Sequence, residues 1–143
     1  MASVVAVCIS EARGVPKHEV SEIKLKISQG IEGDAHAGDW HRQVSLLGTE
    51  SVEKMRAIIP ELPAGAFAEN ILTEGVVLYR LPVGTKLRVG DSLLEITQIG
   101  KECHAHCAIR RQTGDCVMPR EGVFAVVLEE ATVRPGDKIE VLA

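Results

Sequence analysis

Hydrophobic positions recur along the chain with two different periods. Ser3 to Ile9 is a valine-rich run, and Glu22 to Ser28 alternates Ile23, Leu25 and Ile27 with charged neighbours, the two-residue period of a half-buried strand. Gln43 to Leu47 continues in that vein. The period then changes: Thr49 to Ile59 sets Val52, Met55 and Ile59 on one face, which predicts a helix with Thr49 as N-cap and Pro60 as its stop. Glu61 to Ala68, with Pro63 and Gly65, reads as a loop. From Asn70 onward short strand patterns return, at Ile71 to Thr73, Val76 to Leu81, Lys86 to Val89, Ser92 to Ile99, Val123 to Leu128 and Lys138 to Leu142.

Turn chemistry punctuates these runs. Gly90-Asp91 separates two of them, and Pro135-Gly136-Asp137 offers the fixed proline φ and the positive glycine φ of a type II turn, so a hairpin is expected at each. Gly84 to Val89 and Gly136 to Val141 share a G-(T/D)-K-x-x-V pattern, read as two similar turns. With about eight short strands and one clear helix, the fold class is mainly β. Closure into a barrel best accounts for how so many strand edges avoid exposure.

The chain has 143 residues, enough for one self-sufficient core, and no composition shift marks a linker, so residues 1–143 are read as a single domain. A net charge of −4 gives no large positive surface for a phosphate backbone or an anionic membrane. With only Trp40, Phe67, Tyr79 and Phe124 as aromatics, a stacking platform for bases is also hard to assemble, so nucleic acid is not expected as a partner. No apolar run approaches the about 20 residues of a membrane-spanning helix. The first ten residues lack the basic stretch of a secretory signal, and the expected compartment is the cytoplasm. There, four cysteines point to reactive, metal-binding or buried thiols rather than to a disulfide framework.

Three of those cysteines cluster, in Gly100-Lys101-Glu102-Cys103-His104-Ala105-His106-Cys107 and Asp115-Cys116. The thiolate is the nucleophile, the soft-metal ligand and the form that carries sulfur as persulfide, and Lys101, Arg110, Arg111 and Arg120 put positive charge nearby in sequence. Structural zinc is a second reading, although CxxxC followed by one more cysteine departs from common finger spacing; simple burial is a third. Cys8, inside an apolar strand, reads as buried and inert.

The other unusual stretch runs from Gln29 to Arg42 and holds Gly30, Gly33, Gly38, His36, His41 and Arg42. Loosened backbone with imidazole and guanidinium donors can hold an anionic group, or can simply be a solvated connection. It contains neither a dinucleotide fingerprint nor a P-loop. Glu69 and Asn70, at the start of a strand pattern, read on their own as turn residues.

Taken together, Gly30-Ile31-Glu32-Gly33-Asp34-Ala35-His36, Arg42 to Leu47 with Glu50, Glu69-Asn70-Ile71 and Leu94 to Gln98 leading to Cys103 resemble the MOSC family, in its small stand-alone bacterial form. The resemblance spans nearly the whole chain. It implies a strongly bent, mixed or antiparallel β-barrel with one or two short helices, concerned with the molybdenum cofactor. It further implies that Cys103 carries persulfide sulfur or ligates molybdenum, assisted by Cys107 and Cys116. His36, His41, Arg42, Asn70 and Arg120 are the implied contacts to molybdopterin. Implied partners are a pyridoxal-phosphate-dependent cysteine desulfurase, which would hold that cofactor itself, and molybdenum-cofactor biosynthesis proteins. A molybdopterin-binding module that moves no sulfur and a zinc-stabilised interaction domain are the alternatives.

Overall fold

The computed structural model describes residues 2–12, 17–100 and 121–142. Its strands are β1 (Ser3–Ile9), β2 (His18–Val20), β3 (Ile23–Lys26), β4 (Gly30–Ile31), β5 (Val44–Gly48), β6 (Ile71–Glu74), β7 (Lys86–Val89), β8 (Ser92–Ile99), β9 (Val123–Glu129), β10 (Ala131–Val133) and β11 (Ile139–Leu142). One α-helix, α1 (Thr49–Arg56), and a 3-10 turn at Leu78–Arg80 complete the described elements. Eight strands form one sheet in the order β11-β7-β8-β9-β5-β6-β1-β2, and β10-β3-β4 form a second. The chain is mainly β, as the periodicity predicts.

Strand β5 is buried along its full length because both of its faces are covered. Successive residues of a strand point to opposite faces. Leu46 and Ile71 accordingly join the larger core with Leu94, Ile96, Val123 and Ala125, while Leu47 and Leu72 pack under α1 with Val52, Met55, Phe67 and Phe124. Strands β7 and β8 make the hairpin expected at Gly90-Asp91, with Val89 opposite Ser92.

Four expectations are corrected. The sheet is bent but is not closed into a barrel: β2 and β11 are its ends, and one bridge, Ser3 to Lys138, pins β11 to the start of β1. The reason lies in β1, whose free edge is already taken at Val7 to Ile9 by β2, leaving only the first residues for β11. The helix begins at Thr49 with Gly48 as its N-cap and ends at Arg56, before Ile59 and Pro60, because β5 runs straight into it. Val76 to Leu81 holds the 3-10 turn and no strand. Finally, Pro135-Gly136-Asp137 is a turn, with Asp137 N–H donating to the Arg134 carbonyl, but it joins strands of different sheets, β10 paired with β3 and β11 with β7.

Candidate functional site

The glycine and histidine segment leaves β4 and returns into β5. Gly30, at φ +95°, crosses so close to Gln43 that a Cβ there would stand 2.7 Å from the Gln43 carbonyl oxygen. Only glycine permits that approach. The segment is then tied down by Ala35 N–H to the Ser10 carbonyl at 2.8 Å and Gly38 N–H to the Gln29 carbonyl at 2.6 Å.

Beneath it lies a buried charge pair. Lys17 Nζ donates to Asp34 Oδ1 at 2.7 Å, and both side chains are fully buried. The remaining ammonium donors reach Ser10 Oγ at 3.3 Å and His36 Nδ1 at 3.0 Å. Asp34 in turn accepts from the backbone N–H groups of Ser10 and His36. Burial pushes the Asp34 carboxyl up, but the Lys17 hydrogen bond, the ammonium charge and the Ser10 backbone N–H outweigh that, holding it well below the usual carboxylate range.

Above the pair, three side chains gather around Trp40. The His36 ring stacks on the indole at 6.5 Å, His41 meets it edge-on at 5.8 Å, and the Arg42 guanidinium lies 4.7 Å over it. Arg42 also stands 5.7 Å from the Phe124 ring of β9. Trp40 Nε1 donates to the His36 carbonyl, which fixes the indole plane. Arg42 Nε is buried and has no hydrogen-bond partner among the described residues. A buried guanidinium donor left unpaired costs more than an ordinary missing bond, so it marks a place where an anionic acceptor fits.

His41 connects this cluster to the cysteine-bearing part of the sequence. Its Nε2 pairs with Gln98 Oε1 at 2.8 Å, and Gln98 Nε2 donates to the Gly100 carbonyl at 2.8 Å. Thr97 Oγ1 also donates to the His41 carbonyl. Gly100 N–H in turn reaches the Gly122 carbonyl at 2.6 Å, so β8 and β9 meet at the two ends of residues 101–120. At the far end, Glu121 is held by Ser51 Oγ and by Lys54 Nζ, the latter at 2.9 Å to both carboxylate oxygens.

His36, His41 and Arg42 are thus brought together around Trp40. Cys103, Cys107, Cys116 and Arg120 lie outside the described residues. Asn70 sits elsewhere, in the sheet interior: its Oδ1 accepts from Ser45 N–H and Oγ, and its Nδ2 donates to the Cys8 carbonyl at 3.0 Å. Those bonds clamp β6 to β5 and β1. Cys8 is fully buried, and burial, with Glu69 and Glu19 adding to it, pushes its thiol up to about 12, which agrees with an inert thiol. Among the described residues, no group of three or more His, Cys, Asp or Glu could hold a metal ion. No described helix is long and apolar enough to cross a membrane.

Sequence reading missed Lys17, Gln98 and Glu121. Lys17 lies in no periodic run, and its partner Asp34 is 17 positions away, so no local signal pairs them. Trp40 entered only as one of few aromatics, although its neighbours His36 and Arg42 at i−4 and i+2 were legible.

A bent, mainly β sheet thus carries an aromatic and cationic loop beside the ends of β8 and β9. The MOSC domain model matches residues 33–140, and the chain belongs to that family. It is therefore a molybdenum-cofactor-related domain. The fold is shared with the YuaD protein from Bacillus subtilis, at 16% identity and a TM-score of 0.78 over 99% of this chain and 96% of that one. YiiM from Geobacillus stearothermophilus matches at 16% identity and 0.73 over 100% and 76%, and YiiM from Escherichia coli at 19% and 0.67 over 100% and 70%.

Proposed function

We propose that this chain is a sulfur-carrying MOSC domain in which the cluster around Trp40 binds the anionic part of the molybdenum cofactor and the Cys103 thiolate carries sulfur. The observation that carries the binding half is the buried Nε of Arg42, which has no partner among the described residues and is flanked by Trp40 and Phe124. Arg42 offers the fork that matches a phosphate, His36 and His41 add imidazole donors or acceptors, and Trp40 supplies an apolar face for a flat ring system. Arg120 is a further proposed contact. The bound cofactor would supply a metal centre able to accept sulfur.

For the sulfur half, support comes from family membership and from sequence proximity. Cys103 is three residues beyond Gly100, whose carbonyl closes the chain of hydrogen bonds from His41 through Gln98. The donor is a persulfide on a pyridoxal-phosphate-dependent cysteine desulfurase. The Cys103 thiolate attacks the outer sulfur of that persulfide, forming a new S–S bond while the old one breaks and its electron pair leaves on the donor thiolate. Cys107 or Cys116 then attacks Cys103 Sγ, releasing the outer sulfur as hydrosulfide and closing a disulfide that a thiol reductant reopens.

Incubation with a cysteine desulfurase and cysteine, followed by peptide mass spectrometry, tests the carrier role. Addition of one sulfur atom on Cys103 is expected. Absence of the adduct from Cys103, Cys107 and Cys116 alike sinks it. In that case Arg42 still favours a binding module, which pterin fluorescence of the anaerobically purified protein would report.

A further inference from the structure

A fully buried lysine–aspartate pair is a poor device for stability. Desolvating the two ions costs several kcal/mol each, and their attraction often only offsets that. The pair in this protein does something a plain ion pair does not: it extends to a partly exposed histidine. Lys17 Nζ has three donors and three acceptors, Asp34 Oδ1, Ser10 Oγ and His36 Nδ1. An ammonium can only donate, so His36 Nδ1 must accept. The nearer alternative proton acceptor for an Nδ1–H, Asp34 Oδ2, stands 3.7 Å away and already receives the His36 backbone N–H at 3.0 Å. The ring proton therefore sits on Nε2, and stacking on Trp40 at an 8° interplanar angle fixes the ring plane.

We infer that Lys17 and Asp34 are positioning residues that lock His36 as an Nε2–H donor in the cluster around Trp40, against which Arg42 also packs. This rests on the binding role proposed for the Trp40 cluster. The division of labour is clear: Asp34 aims the ammonium, the ammonium sets the tautomer, and only the outer nitrogen of the ring meets the ligand. None of the three internal contacts touches the ligand, so Lys17 and Asp34 act through His36 alone. A bound phosphate then meets one directed donor at His36, which a freely rotating, mixed-tautomer imidazole does not hold in place.

The test is long-range proton–nitrogen correlation NMR of the nitrogen-15-labelled protein, combined with titration by inorganic phosphate. In the wild type, His36 is expected to show an unprotonated Nδ1 and a protonated Nε2 as a single species. The paired variant Lys17→Met/Asp34→Asn removes both charges at once, so no lone buried ion remains. It is expected to show mixed tautomers at His36 and a roughly tenfold weaker phosphate affinity, the scale of one hydrogen bond to a charged group. A protonated Nδ1 in the wild type, or an unchanged single tautomer in the variant, overturns the inference; the wild-type spectrum decides even if the variant does not fold. Failure of the wild type and of Arg42→Ala to differ in phosphate binding counts against the binding role instead, and leaves the tautomer result to stand by itself.

Discussion

Two buried polar knots hold this molecule together, and they differ in where their bonds end. Around Asn70 every bond closes inside the sheet: Ser45 gives both its N–H and its hydroxyl, Cys8 its carbonyl, and the neighbouring Glu69 takes the N–H groups of Gly65 and Phe67. Around Lys17 the chain of bonds runs outward to a His36 ring whose side chain is 25% exposed, and across the Trp40 cluster Arg42 keeps a donor with no partner among the described residues. A closed knot specifies strand register. An open one, with a directed but unfinished set of donors, is what a ligand completes.

The largest expected effect breaks the open knot from within. Lys17→Met leaves the Asp34 carboxylate buried without its cation, and a loss of about 3–5 kcal/mol is expected from urea unfolding. The two knots respond oppositely to acid. Asp34 titrates below its unfolded value, so its contribution is fully present above about pH 4 and is lost as the pH falls toward its folded value. Burial raises Glu69 despite the Gly65 N–H bond, so its contribution is full below its unfolded range and is lost as the pH rises through its folded value. Asp34→Asn should accordingly flatten the acid limb of the stability curve and leave the limb governed by Glu69 in place; an acid limb of unchanged steepness would contradict the assignment.

Next in size is a double dissociation between the knots. Asn70→Ala strips partners from buried backbone and should cost about 2–3 kcal/mol by urea unfolding, with phosphate affinity in the surviving folded protein unchanged. Arg42→Ala should do the reverse, changing stability by no more than about 1 kcal/mol through lost stacking while weakening phosphate binding about tenfold or more by calorimetry. If both variants lose binding equally, the distinction between closed and open knots is gone.

The smallest effect sharpens the closed knot. Ala68 adopts φ +64° just before Glu69, a conformation that costs a residue with a Cβ about 1–2 kcal/mol. Ala68→Gly relieves that strain and adds unfolded-state freedom of about 0.5–1 kcal/mol, so a net gain of at most about 1 kcal/mol is expected from the thermal midpoint.

The chain itself determined the strands with strong local patterns: the valine-rich Ser3–Ile9, and Ser92–Ile99, whose burial alternates over most of its length, carry the bounds that their patterns predict. It also determined the family, through ordered short motifs, and it gathered His36, His41 and Arg42, which are close in sequence. Tertiary structure alone decided the rest. Strands β2 and β4 are too short to show a period, and they exist because β1 and β3 offer them free edges. The sheet stays bent rather than closed because β2 occupies the edge that closure needs. Asn70 reads as a turn residue until its three long-range bonds are seen, and Lys17 carries no local signal until folding brings Asp34 and His36 to its ammonium. Lys17 is committed to the interior by partners 7 to 19 positions away, and that distance is what a local pattern does not encode.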